Sequence, residues 1–415
     1  MMSTGFSLAL MGISFVVTTV MYPYVLRFAR RHGIVDNPCA RKLQRVPVPV
    51  MGGTAVYIGL LASVAVCWMV WPDALLLKVL GLLTVMYVIG VWDDIKEVSA
   101  AFRFLVESVV GWVMVWQLGV EINDLHGFCG IRELPDVVSI PLSIVAGVGI
   151  MNAVNLIDGV DGYCSAYGMI ACAGFAVLFY YAGDMAMCSV ALMSIGALVP
   201  FFFHNVFGKT SKMFLGDGGS LMLGTLLALF VLRLLSKDSL SAQYDYMGLS
   251  LPAMSLAILA VPVFDTLKVM IFRVIRGVSP FSPDKTHLHH LFIDMNFSHL
   301  STSGLIVTGN MLIVGILLTC WQLGLSVNGQ VYLVVLLALL FTWAFYFLMD
   351  REHRKQDGEG SALWQRLSQR GKATNLTTKP AWQTIRRIVD RKWLGTGLAK
   401  DPPADDPGPD ETDLA

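Results

Sequence analysis

Eleven stretches of the 415-residue chain are long and apolar enough to cross a bilayer, near 5–27, 51–71, 74–92, 103–119, 138–155, 163–182, 185–203, 213–235, 248–268, 304–324 and 329–349. A spanning helix needs about 20 mostly apolar residues, because hydrocarbon offers no water to satisfy peptide groups. So many such stretches leave one fold class open, an all-α polytopic membrane protein. Composition agrees: 55% of residues are hydrophobic and 14% are charged, against about a quarter charged in ordinary soluble domains. Mean hydropathy is +0.63. The first stretch is too long for a signal-peptide core and has no small-residue cleavage site after it, so it reads as a membrane helix.

Lys+Arg and Asp+Glu number 30 each, so net charge says nothing, but placement does. One set of connections carries Arg30, Arg31, Arg41, Lys42 and Arg45, then Lys96 and Arg103, Lys209 and Lys212, Arg273, Arg276 and Lys285, and finally Arg351, Arg354 and Lys355. The opposite set is mostly acidic: Asp73, then Glu121, Asp124, Arg132, Glu133 and Asp136, then Asp184, then Lys237, Asp238 and Asp245. Positive residues mark the cytoplasmic side. Eleven spans then place the N-terminus outside and the C-terminus in the cytoplasm.

That parity puts four polar segments on one face: "VWDDIKE" (91–97), "NLIDGVDG" (155–162), "FGKTSKMFLGDGGS" (207–220) and "SPFSPDKTHLHHLF" (279–292). Carboxylates and carboxamides are expensive at the edge of a bilayer and usually mark a site. Asp93 and Asp94 end the third span, where the helix dipole is negative, so a cation or a retained proton must offset them. Asn152, Asn155 and Asp158 recur every third residue, each about 60° around a helix from the one before, up to the loosening Gly159 and Gly162. An all-oxygen face of this kind suits a hard cation or a sugar phosphate. Asp217 lies among Gly216, Gly218 and Gly219, whose amides could approach a phosphate at a helix start. Ser282 and Pro283 read as a helix start, with His287 and His290 on one face and His289 pointing elsewhere. No Cys or HExxH accompanies the histidines, which argues against zinc.

Other segments say less. The basic, Pro/Gly-rich loop "DNPCARKLQRVPVPVMGG" has the composition of a wall around an anionic ligand, but on charge alone the positive-inside signal is the better account. Seven scattered Cys without CxxC spacing read as small core residues. Residues 1–350 form the multi-spanning domain, and 351–400 a polar cytoplasmic tail that is loosely ordered through 379. A helix at 381–394 suits either an anionic membrane surface or a soluble setting. The acidic, Pro-rich 401–415 is expected to be disordered. The lack of an internal repeat weakens a transporter reading.

Six ordered motifs, "DNP.ARK…VPVPVMGG", "GVWDD", "NAVNLIDGVDG", "MFLGDGGS", "PVFDT" and "SPDKTHLHHLF", resemble the polyprenyl-phosphate N-acetylhexosamine-1-phosphate transferases over about residues 1–350. The HxHH form is most similar to the bacterial undecaprenyl-phosphate GlcNAc-1-phosphate branch. The peptidoglycan branch carries an HHH-type loop instead. The resemblance implies transfer of N-acetylhexosamine 1-phosphate from a UDP-sugar to undecaprenyl phosphate in the bacterial inner membrane. UMP leaves, and lipid-linked synthesis of O-antigen, enterobacterial common antigen or another surface polysaccharide begins. It implies Mg²⁺ (with Mn²⁺ as a substitute) on Asn155 and Asp217. Asp93, Asp94, Asp158, His287, His289 and His290 would be catalytic; Asn152, Asp161, Arg103, Arg41 and Lys42 would bind substrate, with Asp161 near the uracil. Arg103 replaces a Lys frequent in relatives and would face the pyrophosphate; Gln44 replaces a frequent His, which removes any proton transfer at that position.

Four alternatives stay open: UDP-GalNAc, UDP-FucNAc or UDP-QuiNAc as donor; a two-step route through an Asp nucleophile; a transporter or flippase; and a homodimer. Nothing in the sequence points to nucleic acid. Reporter fusions near positions 94, 158, 217 and 288 should all report the cytoplasmic side; a split between compartments would contradict a single site.

Overall fold

The computed structural model describes residues 3–37, 46–237, 242–279, 286–354, 361–374 and 379–394. Arg41, Lys42 and Gln44, and the Ser282–Lys285 lead-in, lie outside the described residues, as does the acidic tail 401–415. Eight helices come first: α1 (Thr4–Arg31), α2 (Gly52–Val70), α3 (Ala74–Lys96), α4 (Ala100–Leu118), α5 (Asp136–Leu156), α6 (Tyr163–Ala182), α7 (Met185–Phe207) and α8 (Gly216–Leu234). A short antiparallel pair, β1 (Val35–Asp36) and β2 (Val48–Pro49), lies between α1 and α2. Then follow α9 (Ala242–Met247), α10 (Leu251–Ile258), α11 (Ala260–Ile275), α12 (Leu288–Asp294) and α13 (His299–Gln322). The last span is α14 (Val327–Leu339), a π-helical turn at Leu340–Ala344, and α15 (Phe345–His353). Two tail helices close the chain, α16 (Ala362–Ala373) and α17 (Pro380–Leu394).

Among the described residues ten helices are long and apolar enough to cross a membrane, eleven if one bent pair is a single span. The expected all-α polytopic fold and its eleven stretches are therefore present. The ninth stretch, expected as one helix over 248–268, is instead α10 and α11 meeting at 75°. Its physical reason is local. Pro262 cannot donate an amide hydrogen, and Asn310 of α13 takes over the freed backbone groups: its carboxamide donates to Ala257 O and Ile258 O and accepts from Val261 N at 3.0 Å. Tyr167 donates its hydroxyl to Ile258 O as well. A break at membrane depth is tolerated where protein supplies such partners.

Helix α8 is the central post: 89% of its apolar window is buried, against 22% for α1. It packs against α2, α3 and α5. Glycines let these backbones meet. A Cβ at Gly53 would strike Gly219, and one at Gly90 would strike the Asp217 carbonyl. Small residues at helix contacts are the membrane substitute for a hydrophobic driving force. Hydroxyls add polar ties between α1 and its neighbours, with Ser7 bonded to Ser189 at 2.8 Å, Ser14 to Met193 O at 2.7 Å and Ser63 to Leu10 O at 3.1 Å. The loop after α1 is tied to the approach to α8 by Phe214 N donating to Pro49 O, and by Gly52 N and Gly53 N donating to Phe214 O and Leu215 O.

The tail differs from expectation. Within 351–379, expected to be loosely ordered, α16 is helical and docked, and Trp364 is buried beside His353 with ring centroids 4.1 Å apart. The expected helix at 381–394 is present as α17. Its Trp382 is buried against Phe207 of α7, at 4.5 Å between ring centroids.

Candidate active site

The α3 C-terminus and the α8 N-terminus meet at the middle of the site. Asp94 accepts hydrogen bonds from Asp217 N at 2.9 Å and Gly218 N at 3.1 Å, so its carboxylate caps α8. This corrects the expectation that the glycine-rich turn offers those amides to a phosphate. They are already taken, and the glycines serve instead to let α3 and α2 approach. The two acids at the negative end of α3 are offset by two positive partners. One is the α8 dipole. The other is Arg103, whose Nη1 lies 3.1 Å from Asp93 Oδ2; Asp93 Oδ1 also accepts Val98 N at 2.7 Å.

Asn155 sits in the last turn of α5 and donates to Asp217 Oδ1 at 2.6 Å and to Ser220 Oγ at 2.9 Å. Helix α5 ends at Leu156, so Asp158 lies in the following turn rather than on a continued helical face with the asparagines. Its carboxylate accepts the Gly216 amide, and burial, together with Asp217 and Asp94, pushes it well above the usual carboxylate range. Asn152 points the other way along α5 and donates to Glu107 and to Val148 O. Glu107, 1% exposed, also lies 3.6 Å from Arg103. Asn152 is thus joined to the site through Glu107 and Arg103.

Asp161 is held by two partners from different parts of the chain, with Lys212 Nζ at 2.6 Å and His299 Nδ1 at 2.9 Å. Burial alone would raise its carboxyl, but His299 and Lys212 outweigh it and hold the group below the usual range. Its backbone is fixed too, as Ser303 Oγ donates to Asp161 O at 2.9 Å.

The histidine segment packs from the far side. Helix α12 starts at Leu288, with His287 at the N-cap position, later than the start expected at Ser282. His287 Nδ1 lies 2.9 Å from Asp265 Oδ2, and Asp265 is bonded in turn by Lys268 Nζ at 2.7 Å. The other ring nitrogen of His287, Nε2, is buried without a hydrogen-bond partner. His289, expected to point elsewhere, is buried with its Nε2 facing Gly159, 3.2 Å from where a Cβ would stand. Burial, with His290 and His287 beside it, lowers its pKa well below the usual value, so the ring is neutral. The His287–His289 and His289–His290 ring centroids are 5.5 and 4.4 Å apart.

All the proposed site residues within the described part of the chain therefore belong to one connected region. Four further members carried no role at the sequence level: Glu107, Lys212, Asp265 and His299. Glu107 did leave a signal, being a lone acid inside the apolar run "FLVESVVGW". His299 left none. Among the described residues no three His, Cys, Asp or Glu side chains form a group able to hold a metal by themselves. The carboxylates of Asp94, Asp158 and Asp217 do repel one another at close quarters. Hard oxygen donors in uncompensated excess fit an ion such as Mg²⁺, which keeps several waters and shares its shell with substrate phosphates.

The model for "Glycosyl transferase family 4" matches residues 76–235, the stretch running from α3 through α8. A protein of Bacillus subtilis (strain 168), named "Probable undecaprenyl-phosphate N-acetylglucosaminyl 1-phosphate transferase", is 30% identical over 69% of this chain and 77% of its own length. The chain belongs to glycosyl transferase family 4. Two further family relatives carry the name undecaprenyl-phosphate alpha-N-acetylglucosaminyl 1-phosphate transferase. One, from Escherichia coli (strain K12), is 28% identical over 73% of this chain and 80% of its own. The other, from Salmonella typhi, is 26% identical over 80% of this chain and 88% of its own. In this family member the matched region contains Asp93, Asp94, Asn155, Asp158, Asp161 and Asp217, whereas the histidine segment lies beyond it.

The repulsion around Asp158 has a measurable consequence. A carboxyl raised in the folded state is destabilising once ionised: wild-type stability falls as pH climbs from the ordinary carboxyl range to the raised value. Asp158→Asn in metal-free protein should therefore raise the melting temperature near neutral pH by about 2 °C or more. The gain should vanish in acid, where Asp158 is protonated in both states. A variant less stable than wild type at neutral pH would contradict the assigned repulsion.

Proposed function

We propose that this protein transfers N-acetylglucosamine 1-phosphate from UDP-GlcNAc to undecaprenyl phosphate at the inner face of the bacterial cytoplasmic membrane. A phosphate oxygen of the lipid attacks the β-phosphorus of the nucleotide sugar, the bond from that phosphorus to the bridging oxygen breaks, and UMP departs with the electron pair. The supporting observation is the junction of α3, α5 and α8, where Asp93, Asp94, Asn155, Asp158 and Asp217 converge, in a chain whose relatives are named for this transfer.

Phosphoryl transfer asks a protein for positioning and charge neutralisation more than for covalent help. Each residue here has a task of that kind. Arg103, steadied by Asp93 and Glu107, presents a guanidinium that can pair bidentately with a phosphate. Asp161 accepts from the nucleotide base, being held ionised by Lys212 and His299. Neutral His289 can donate a hydrogen bond to sugar or phosphate oxygens, and His287 is fixed by Asp265 with Nε2 free to reach substrate. Asn155 and Asp217 would hold Mg²⁺, with Asp158 beside them; Mn²⁺ should substitute. The bound ion would neutralise charge that builds on the diphosphate oxygens. No side chain need form a phospho-enzyme, so radiolabel from the donor should not remain on the protein when the lipid is withheld.

Purified protein supplied with undecaprenyl phosphate and a panel of UDP-N-acetylhexosamines should release UMP from UDP-GlcNAc only when Mg²⁺ or Mn²⁺ is present. Asp217→Asn should lower kcat by at least about 100-fold while the protein remains folded. Near-wild-type turnover of that variant would remove Asp217 from the metal site, and a preference for UDP-GalNAc, UDP-FucNAc or UDP-QuiNAc would reassign the donor.

A further inference from the structure

The tail helices α16 and α17 contribute nothing to the acidic junction, yet both are fastened to the segments that grip Asp161. Helix α17 reaches the turn after α7. Asp390 Oδ1 accepts from Ser211 N at 3.1 Å and Ser211 Oγ at 2.9 Å, while Oδ2 accepts from Lys209 N at 3.2 Å. The residue after Ser211 is Lys212, whose ammonium is paired with Asp161. Trp382 anchors the same helix on Phe207, at the start of that turn. Helix α16 reaches the turn between α12 and α13. Its Gly371 packs so closely that a Cβ would strike the backbone of residues 295–297. Asn296 Nδ2 donates to Ser368 Oγ at 2.7 Å, and Ser301 Oγ donates to Thr374 O at 3.2 Å. Between those two contacts stands His299, the second partner of Asp161.

We propose that α16 and α17 form a brace that sets the nucleotide-sugar subsite from outside, with Asp390 as a positioning residue that acts through Lys212 on Asp161. The inference rests on reading Asp161 as a donor-side carboxylate. The physical case is the choice of contacts. A helix held only for stability would need apolar burial, which Trp382 and Trp364 already supply. Asp390 instead uses both carboxylate oxygens on backbone and hydroxyl donors of one four-residue turn, Gly208–Ser211. Charge-assisted hydrogen bonds of this kind fix geometry. With the turn fixed, the Lys212 stem starts from a set point, and its ammonium meets Asp161 without first paying to order the loop. The same reasoning applies to His299, whose backbone is held on both sides by α16. Among the described residues neither tail helix has a contact with the Asp94–Asp217 pair, so the brace governs donor binding rather than the chemical step.

The full-length protein tests this with Asp390→Ala, together with Asp390→Asn, which keeps one acceptor oxygen. Asp390→Ala should raise KM for UDP-GlcNAc on the order of three- to tenfold, the range expected of a coupling contact. It should leave kcat and KM for undecaprenyl phosphate within about twofold, and Asp390→Asn should recover part of the loss. Amide hydrogen exchange should quicken both at 209–213 and at 159–163. Equal losses in kcat and both KM values with a lowered melting temperature would overturn the brace by making the tail merely structural. Faster exchange confined to 209–213 would also overturn it. If wild-type protein turned over no UDP-sugar, the functional reading would fail, while the exchange result would still decide whether the tail controls the Asp161 segment.

Discussion

The Asp94 carboxylate seated on the N-terminal amides of α8 is the contact on which the rest of the site depends. Two acids at the C-terminal end of α3 face their own helix's negative pole, and the fold answers by abutting the positive pole of another helix. A hydrogen bond to a charged group contributes about 1.5–3 kcal/mol, and a helix terminus adds about 0.3–2 kcal/mol. The contact is possible only because Gly90 on α3, and Gly216 and Gly218 at the start of α8, carry no side chain. A Cβ on Gly216 would lie 2.6 Å from Asp94 Oδ2, and one on Gly218 would lie 2.7 Å from Val91 Cγ2. Gly216 also has a φ of +76°, a conformation costly to residues with a Cβ. Once α3 and α8 are locked, Asp217 is delivered to Asn155, and Asp158 to the amide of Gly216.

Not all of this favours the folded state. Asp94, Asp158 and Asp217 share a region with too little positive charge, since Arg103 is engaged by Asp93 and Glu107. Active sites commonly hold such unfavourable groupings, which the surrounding scaffold over-determines. Here the scaffold is the most buried helix of the protein, braced by backbone contacts on α2 and α3. The Asp265–Lys268–His287 chain follows the opposite logic. Every charge there has a partner, and Lys268 lies over the Tyr346 ring with its nitrogen 3.8 Å from the centroid. The acidic junction is left with uncompensated negative charge, and the histidine support is internally paired.

Much of this was legible in the sequence because the cost of polar groups near a membrane makes them conspicuous. The eleven apolar stretches, the Asp93–Asp94 pair, the Asn155–Asp158 segment and Asp217 all stand out against apolar flanks. What the sequence hid were choices that depend on approach between distant segments. The "GDGGS" turn reads as an anion cradle until α3 arrives and Asp94 fills it. The 248–268 stretch reads as one helix until Asn310, some fifty residues on, offers a carboxamide to the broken backbone. His289 reads as the odd histidine when one helix is drawn through all three, whereas α12 begins at Leu288 and leaves His287 extended ahead of it. Lys212 sits in a polar segment conspicuous for Asp217, His299 sits at the start of α13, and only their common approach to Asp161 gives them a role.

The most direct test is divalent-ion binding itself. Mn²⁺ titrated into detergent-solubilised protein with UDP-GlcNAc, and followed by the loss of its free-ion electron spin resonance signal, should show one tight site in the wild type. That site should weaken at least about tenfold in Asp217→Asn, as loss of a carboxylate ligand requires. Equal Mn²⁺ binding by the two proteins would mean that the carboxylates gathered at the α3–α8 junction are not what holds the ion.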